Sequence, residues 1–425
     1  MLNKEGNREL AYVVKIDNIE EIVGSDNCEA AVVGGWKIMT RKNTFKPGDL
    51  AIYFEIDSHV DTNKPEFAFL APKHGNVKTQ KYTFGGKNPG FYSQGLLMSA
   101  EDFGGVCYQD GSGLFYLHFG KDSFFKENID YGEGEFLTNQ LGVTYAVAED
   151  NKRKAKSNPD ARINAALSRH PAIAKKYGKI IKKNKFLRWL FMFLFGRKSD
   201  KKREWPTFVK KTDEERVQNL AHLVPEFAKE QWVATEKIDG TSTTFAIKRG
   251  KRHNDYYVCS RNVVMNQPGK EKTCYYAQTD GNVYTEMSEK YDMEKVLNKM
   301  LADADKNVNS IVIQAETYGG SIQKRNYHLK EHDMAIFNII YNYEDGTSDR
   351  LNPIEGAEFA KNLGLPYVPV IGIINIPDTC DGILALAGGP SKLDGDLREG
   401  LVFRSMDGVK SFKAVDNAFL VKYHQ

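Results

Sequence analysis

Cysteine is sparse in this 425-residue chain. The five present (Cys28, Cys107, Cys259, Cys274, Cys380) are scattered, with no CxxC pair. That argues against a disulfide framework or a zinc knuckle and suits a reducing, cytoplasmic compartment. No apolar run is long enough to span a bilayer. The opening Met1-Leu2-Asn3-Lys4-Glu5 has no apolar core, so no signal peptide is expected. Acidic residues nearly vanish from one segment. Between positions 151 and 205 only Asp160, Asp200 and Glu204 face 18 Lys and Arg, while the rest of the chain carries 41 basic and 53 acidic residues. The net charge of +3 therefore hides a strongly basic insert in an acidic body, which suggests a polyanionic partner at the insert.

What remains is ordinary soluble composition, 41 % hydrophobic and 27 % charged, with length for two or three domains. The chain is organised around Thr235-Glu236-Lys237-Ile238-Asp239-Gly240-Thr241-Ser242. β-prone runs enter it (Trp232, Val233, Ala234) and leave it (Thr243 to Ile247), so it reads as a tight strand–strand connection. A lysine there, two residues before a carboxylate and three before a glycine, is poor structure and sensible chemistry. A neutral lysine amine can attack phosphorus. Lys-x-Asp-Gly alone arises by chance in roughly one chain in six of this length, so its meaning depends on what lies downstream.

Residues 1–147 read as short strands with turns. Leu10 to Ile16, Ala30 to Val33, Trp36 to Met39 and Leu50 to Ile56 are the strands, with a turn at Pro47-Gly48-Asp49. No constellation there reads as catalytic. His59, His74 and His118 read as surface or structural. A nucleic-acid platform and a plain structural barrel both fit. Residues 148–205 form a basic bridge. Ala161 to Lys183 has helical composition, interrupted at Pro171, and Phe186 to Phe195 is a greasy run followed by more basic residues. It reads as a linker docked by its greasy end, a nucleic-acid contact or a membrane-surface segment.

In 206–425, Thr212 or Asp213 is placed to cap a helix with an acidic first turn. Arg261 follows the strand Tyr256 to Cys259 and offers fork-shaped donors to phosphate or ribose. Glu316 lies near the exit of an apolar strand from Ile311, before Gly319 and Gly320, where a carboxylate needs a polar partner such as ribose. Phe337, in the strand Met334 to Ile340, is either core or a face for a nucleobase. Glu399 and Gly400 open the strand to Arg404, and Lys413 lies on the next one. Glu399 is a candidate metal ligand. Lys413 is a candidate phosphate ligand that would also depress the pKa of Lys237.

This ordered series resembles the covalent nucleotidyltransferases: ATP-dependent DNA ligases, RNA ligases and mRNA capping enzymes. Lys237-Ile238-Asp239-Gly240 looks like motif I and Ser260-Arg261-Asn262 like the motif Ia segment. Glu316 with Gly319 looks like motif III, Phe337 like the motif IIIa aromatic, Glu399 to Arg404 like motif IV, and Ser411-Phe412-Lys413 like motif V. Glu236 and Thr241-Ser242 are similar to RNA ligases. The 211–216 segment and the leading module, with its turn before a Tyr-Phe strand, are similar to Deinococcus-type RNA ligases, which lack a C-terminal OB domain. Where a second motif V lysine often stands, this chain has Val415; either Lys410 or Lys422 compensates, or phosphate handling rests on Lys413 alone.

The resemblance implies an α+β protein: an OB-like N-terminal β-barrel module (1–147), separable from the site, the bridge (148–205), and an ATP-grasp-like antiparallel nucleotidyltransferase domain (206–425). It implies ATP-dependent joining of RNA 3′-hydroxyl and 5′-phosphate ends, with RNA, in a nicked duplex or otherwise, as partner. Lys237 becomes lysyl-AMP with Lys413 assisting. Glu236, Asp239, Gly240, Arg261, Glu316, Phe337, Glu399 and Lys413 hold the nucleotide, and Glu399 holds Mg²⁺ or Mn²⁺. The alternatives are a capping-type guanylyltransferase and a non-catalytic RNA-binding relative.

Overall fold

The computed structural model describes residues 1, 3, 8–84, 90–146, 163, 167, 171–195, 205–211, 213–268 and 282–424. In the N-terminal module, Leu50–Phe54 is buried along its whole length because Ala11–Lys15 and Leu96–Met98 pair with its two edges. Its run of apolar and aromatic residues suits such a central position. A second antiparallel sheet joins Asn18–Glu21, Cys28–Val33 and Trp36–Arg41. Val33 pairs with Trp36 across a two-residue Gly34-Gly35 turn, with Gly34 in the left-handed region that such hairpins require. A third sheet comprises Gly105–Gln109, Phe115–Phe119 and Ile129–Tyr131.

Residues 168–170, before the helical break expected at Pro171, lie outside the described residues. Helix Pro171–Lys183 is followed by a second helix, Lys185–Phe195, that packs on it. Asn184 caps the second helix by accepting from the amides of Phe186 and Leu187. The basic clusters at 152–156 and 197–203 lie outside the described residues.

The C-terminal part holds two antiparallel sheets. One runs in the order Val264–Asn266, Asp255–Cys259, Thr241–Lys248, Val308–Gly319, His332–Tyr343, Ser348–Arg350. The other runs Val370–Asn375, Gln231–Lys237, Gly400–Ser405, Ser411–Val415. Helices Val283–Lys290 and Met293–Asp303 pack on the first through Met287, Met293, Leu297 and Leu301. Trp232, Phe403 and Phe412 fill the core of the second. The chain passes from one sheet to the other through Ile238-Asp239-Gly240, so Lys237 ends a strand at their junction.

Two expectations are corrected. No helix starts at Asp213. A 3-10 turn begins only at Val217 and has no side-chain cap, while the Asp213 carboxylate is taken by Lys413 and Arg261. Thr212 lies outside the described residues. Nor is the N-terminal module a separate body. Val415 and Leu420 of the C-terminal part lie in the same apolar cluster as Tyr12, Val14, Trp36 and Tyr53.

The joint between the modules is polar as well. Glu55, fully buried, receives Arg8 (Nε to Oε2, 2.9 Å), the N-terminal ammonium, the Tyr12 hydroxyl and Asn219 Nδ2 (3.0 Å). Asn219 also accepts from Trp36 Nε1 (2.7 Å), and Arg216 lies 3.5 Å from Asp57. Burial alone would raise the Glu55 pKa, but Arg8 and the N-terminal ammonium pull it down to about 2. The folded state therefore holds the proton less tightly than the unfolded chain. The stability this contributes is present above pH about 4.5 and is lost as pH falls towards about 2. Glu55→Gln is expected to cost about 3 kcal/mol at pH 7. Urea midpoints should show the gap from the natural chain closing as pH falls from 5 to 2.5.

Candidate active site

The Lys237 side chain, 26 % exposed, ion-pairs through Nζ with Glu399 Oε1 at 2.7 Å. Register brings them together: Lys237 pairs with Gly400 across neighbouring strands, and Glu399 immediately precedes that strand. Asp239 sits in the connecting turn, where its amide donates to the Tyr327 hydroxyl (2.7 Å) and its Oδ1 lies 3.4 Å from His424 Nε2. Glu316 lies on the neighbouring sheet, opposite Ser242. The glycines allow this convergence. A Cβ at position 240 would lie 2.3 Å from the Thr317 carbonyl oxygen, and one at position 400 would lie 2.1 Å from that of Ala414.

Three carboxylates thus surround one ammonium. Burial lowers the Lys237 pKa, but Glu399, Glu316 and Asp239 together raise it above the ordinary value. Burial, against the pull of Lys237 and with the repulsion of Glu399 and Asp239, lifts Glu316 to about 8. Glu399 is also raised, chiefly by burial. The expected depression of Lys237 is therefore reversed: its carboxylate neighbours hold the amine protonated. Lys413 is the depressed lysine, pushed down to about 8 by burial, with Arg8, Arg216 and Lys237 adding repulsion that Asp213 only partly offsets.

Glu399 Oε2 and Asp239 Oδ2 are both buried without a hydrogen-bond partner. Two unpaired carboxylate oxygens beside a third carboxylate suit a hard divalent cation, which takes oxygen ligands and supplies the missing positive charge.

A second, cationic group is organised by Asp213. Its Oδ1 accepts from Lys413 Nζ and its Oδ2 from Arg261 Nη2, both at 2.7 Å, with Arg8 at 3.8 Å. Phe337 flanks the site differently. Ala315 pairs with Ile336 and Gln314 with Asn338, so Phe337 is the extra residue of a bulge. Arg404 Nη1 donates to the Phe337 carbonyl at 2.8 Å, and the half-buried Phe337 ring packs with Ile238, Tyr318, Tyr327 and Val368.

The structure therefore joins Lys237, Asp239, Gly240, Glu316 and Glu399 in one cluster and Lys413 with Arg261 in another. Strand alternation sends Glu236 elsewhere. Its oxygens accept from the Ser391 hydroxyl and the Lys392 amide (2.7 Å), which ties down the loop before Glu399. Asp213 as organiser, Tyr327 and His424 were missed by sequence reasoning. They carry no local signal, since each arrives from a distant stretch.

A model of the RNA ligase family matches residues 230–423. A model of an OB-fold domain matches residues 10–98. A search of curated protein sequences gives no match. Among solved structures, the chain is similar to Naegleria gruberi RNA ligase. A glutamate-to-alanine mutant of that protein with ATP and Mn is 26 % identical, with a TM-score of 0.66, over 98 % of this chain and 100 % of that one. A lysine-to-methionine mutant with AMP and Mn is 26 % identical, with a TM-score of 0.65, over 98 % and 99 %. The ligase with PPi is 25 % identical, with a TM-score of 0.65, over the same shares. Residues 230–423, which carry the motif series and the two sheets built around Lys237, match the RNA ligase family, and the leading module matches an OB-fold domain.

Proposed function

We propose that this enzyme seals RNA ends by way of a lysyl-AMP at Lys237, and that Lys237 among Glu399, Glu316 and Asp239 is the observation that carries the assignment. It is an ATP-dependent RNA ligase that uses a divalent metal. The Naegleria relatives with ATP, AMP and Mn support this reading.

Lys237 Nζ attacks the α-phosphorus of ATP. A P–N bond forms, the α–β bridging P–O bond breaks and pyrophosphate leaves. An oxygen of the RNA 5′-phosphate then attacks the adenylyl phosphorus, the P–N bond breaks and the lysine is restored. Finally the 3′-hydroxyl attacks the activated 5′-phosphorus, a phosphodiester forms and AMP departs with the bridging oxygen. Glu399 and Asp239 would hold Mg²⁺ or Mn²⁺, which when bound supplies positive charge against the carboxylates and the phosphates.

This chain's own residues do the rest. Glu399, in ion-pairing Lys237, aims Nζ and holds its proton until the carboxylates are otherwise neutralised. Lys413 and Arg261, gathered by Asp213, face phosphate oxygens with cations. Glu316, raised to about 8 and so able to donate as well as accept, meets the ribose hydroxyls. Phe337 covers the adenine face. Glu236 acts on the nucleotide through the 391–392 loop it holds. We further assign the cytoplasm as the setting, on Cys28, Cys107 and Cys380, none of which is in a disulfide, and a nick in a duplex as the break it seals.

Lys237→Ala is expected to abolish covalent labelling by α-labelled ATP with Mg²⁺ on a denaturing gel, while the natural chain labels with ATP and not with GTP. Labelling by GTP would turn the assignment to capping chemistry. Persistent label on the variant would remove Lys237 from its role.

The pH dependence follows from the order in which the two lysines lose their protons. Lys413, pushed down to about 8, loses its proton before Lys237, which its carboxylates hold above the ordinary value. Lys413→Gln should therefore leave the ascending limb of single-turnover autoadenylylation against pH in place and lower its plateau, from lost phosphate contact. A limb moved to higher pH would show that Lys413 keeps its charge while Lys237 titrates.

A further inference from the structure

Helices Pro171–Lys183 and Lys185–Phe195 pack on each other around Ile163, Leu167, Ile181 and Phe191. Their outward side is apolar and open. Phe186 is 64 % exposed, Trp189 60 %, Phe193 72 % and Leu194 60 %, and Ile180 and Tyr177 are also exposed. Phe186, Trp189 and Phe193 share one helix face, and the last two rings lie 5.5 Å apart and 14° from parallel. Around this face stand Lys175, Lys176, Lys179, Lys182, Lys183 and Lys185, all exposed. No acidic residue occurs between positions 161 and 199. A soluble protein does not leave such a patch bare without a use for it.

We infer that this hairpin is an interfacial anchor that lies flat on an anionic lipid bilayer. Charge and side-chain type select the occupant together. The uniform positive charge disfavours a second copy of the same face. A single-stranded nucleic acid would use the rings and the lysines but offers nothing to bury Leu194 and Ile180, since bases stack on planar groups. A lipid surface takes all three: aromatic rings at the headgroup level, aliphatic side chains in the acyl boundary and lysines against anionic headgroups. Neither helix is long and apolar enough to cross a membrane, so the contact is peripheral. The hairpin supplies none of the residues gathered around Lys237, and anchoring leaves the chemistry of the site unchanged.

The test is flotation of the full-length protein with phosphatidylcholine vesicles, with and without phosphatidylserine, beside binding to a single-stranded RNA. The natural chain is expected to float only with phosphatidylserine, and less at high salt. The combined variant Phe186→Ser, Trp189→Ser, Phe193→Ser should lose flotation. Because each basic side chain near an anionic surface contributes about fivefold, Lys179→Glu, Lys182→Glu and Lys183→Glu together should weaken it at least about tenfold. Both variants should still form lysyl-AMP, which separates this inference from the ligase assignment. Absence of flotation by the natural chain, or retention of it by both variants, would overturn the anchor. Loss of RNA binding in the variants with no vesicle binding by the natural chain would make the face a nucleic-acid platform instead. Concentration-dependent self-association abolished by the serine variant, again without flotation, would make it an interface between copies.

Discussion

The ion pair between Lys237 and Glu399 is the constraint on which the rest of the site depends. A nucleophilic lysine must be neutral when it attacks, yet here it rests beside three carboxylates that favour its proton. That arrangement is unfavourable for attack by the free enzyme and favourable once cations and substrate arrive. Positive charge placed at the open oxygens of Glu399 and Asp239 weakens the hold on the ammonium at the moment the phosphates are delivered. On the proposed chemistry, activation of the amine is thereby tied to loading of the site. In the proposed mechanism Glu399 therefore has a single location and two consequences: it aims the lysine, and it withholds the amine until the counter-charge is present.

The geometry that permits this is a meeting of two sheets. Lys237 and Glu399 belong to one sheet and Glu316 to the other, and the three-residue connection Ile238-Asp239-Gly240 is their only direct covalent link at that point. The close approach of Thr317 to Gly240 and of Ala414 to Gly400 shows why glycine follows the carboxylate in both motifs. A methyl group at either position would push a strand away and open the carboxylate cluster. The cationic side of the site is built differently, since Asp213 gathers Lys413 and Arg261 from the C-terminal part and Arg8 from the N-terminal module. The two modules thus share an electrostatic unit as well as an apolar core. The leading module is part of what sets the charge state of Lys413.

The motifs were legible because each is local. A lysine, a carboxylate and a glycine at a strand–turn junction declare themselves by spacing, and the strands around Lys237, Glu316, Phe337 and Glu399 follow from their apolar runs. What was not legible depends on distant convergence. Asp213 had the features of a helix cap by its neighbours and became an ion-pair hub because Lys413, 200 positions away, needed a counter-charge. Tyr327 and His424 reach Asp239 from a loop and from the end of the final helix. The protonation of Lys237 could not be read from its motif, since its sign depends on how many carboxylates converge. Glu236 shows the converse case: adjacency in sequence suggested adjacency in function, but strand alternation turned it to a loop.

The partition of charge gives these local facts a larger setting. Outside the bridge, acids outnumber basic residues 53 to 41, so the body as a whole repels a polyanion. RNA must be drawn in by local fields, and the one nearest the site comes from Lys413 and Arg261, two cations that share the carboxylate of Asp213. An acidic body with a small cationic centre favours ends and breaks that can place a phosphate deep in the site over continuous backbone sliding across the surface. The long basic segment then need not be an RNA tether for the ligase to find its substrate. The apolar face it carries indicates that its positive charge is directed at a different polyanion, one with a hydrocarbon interior.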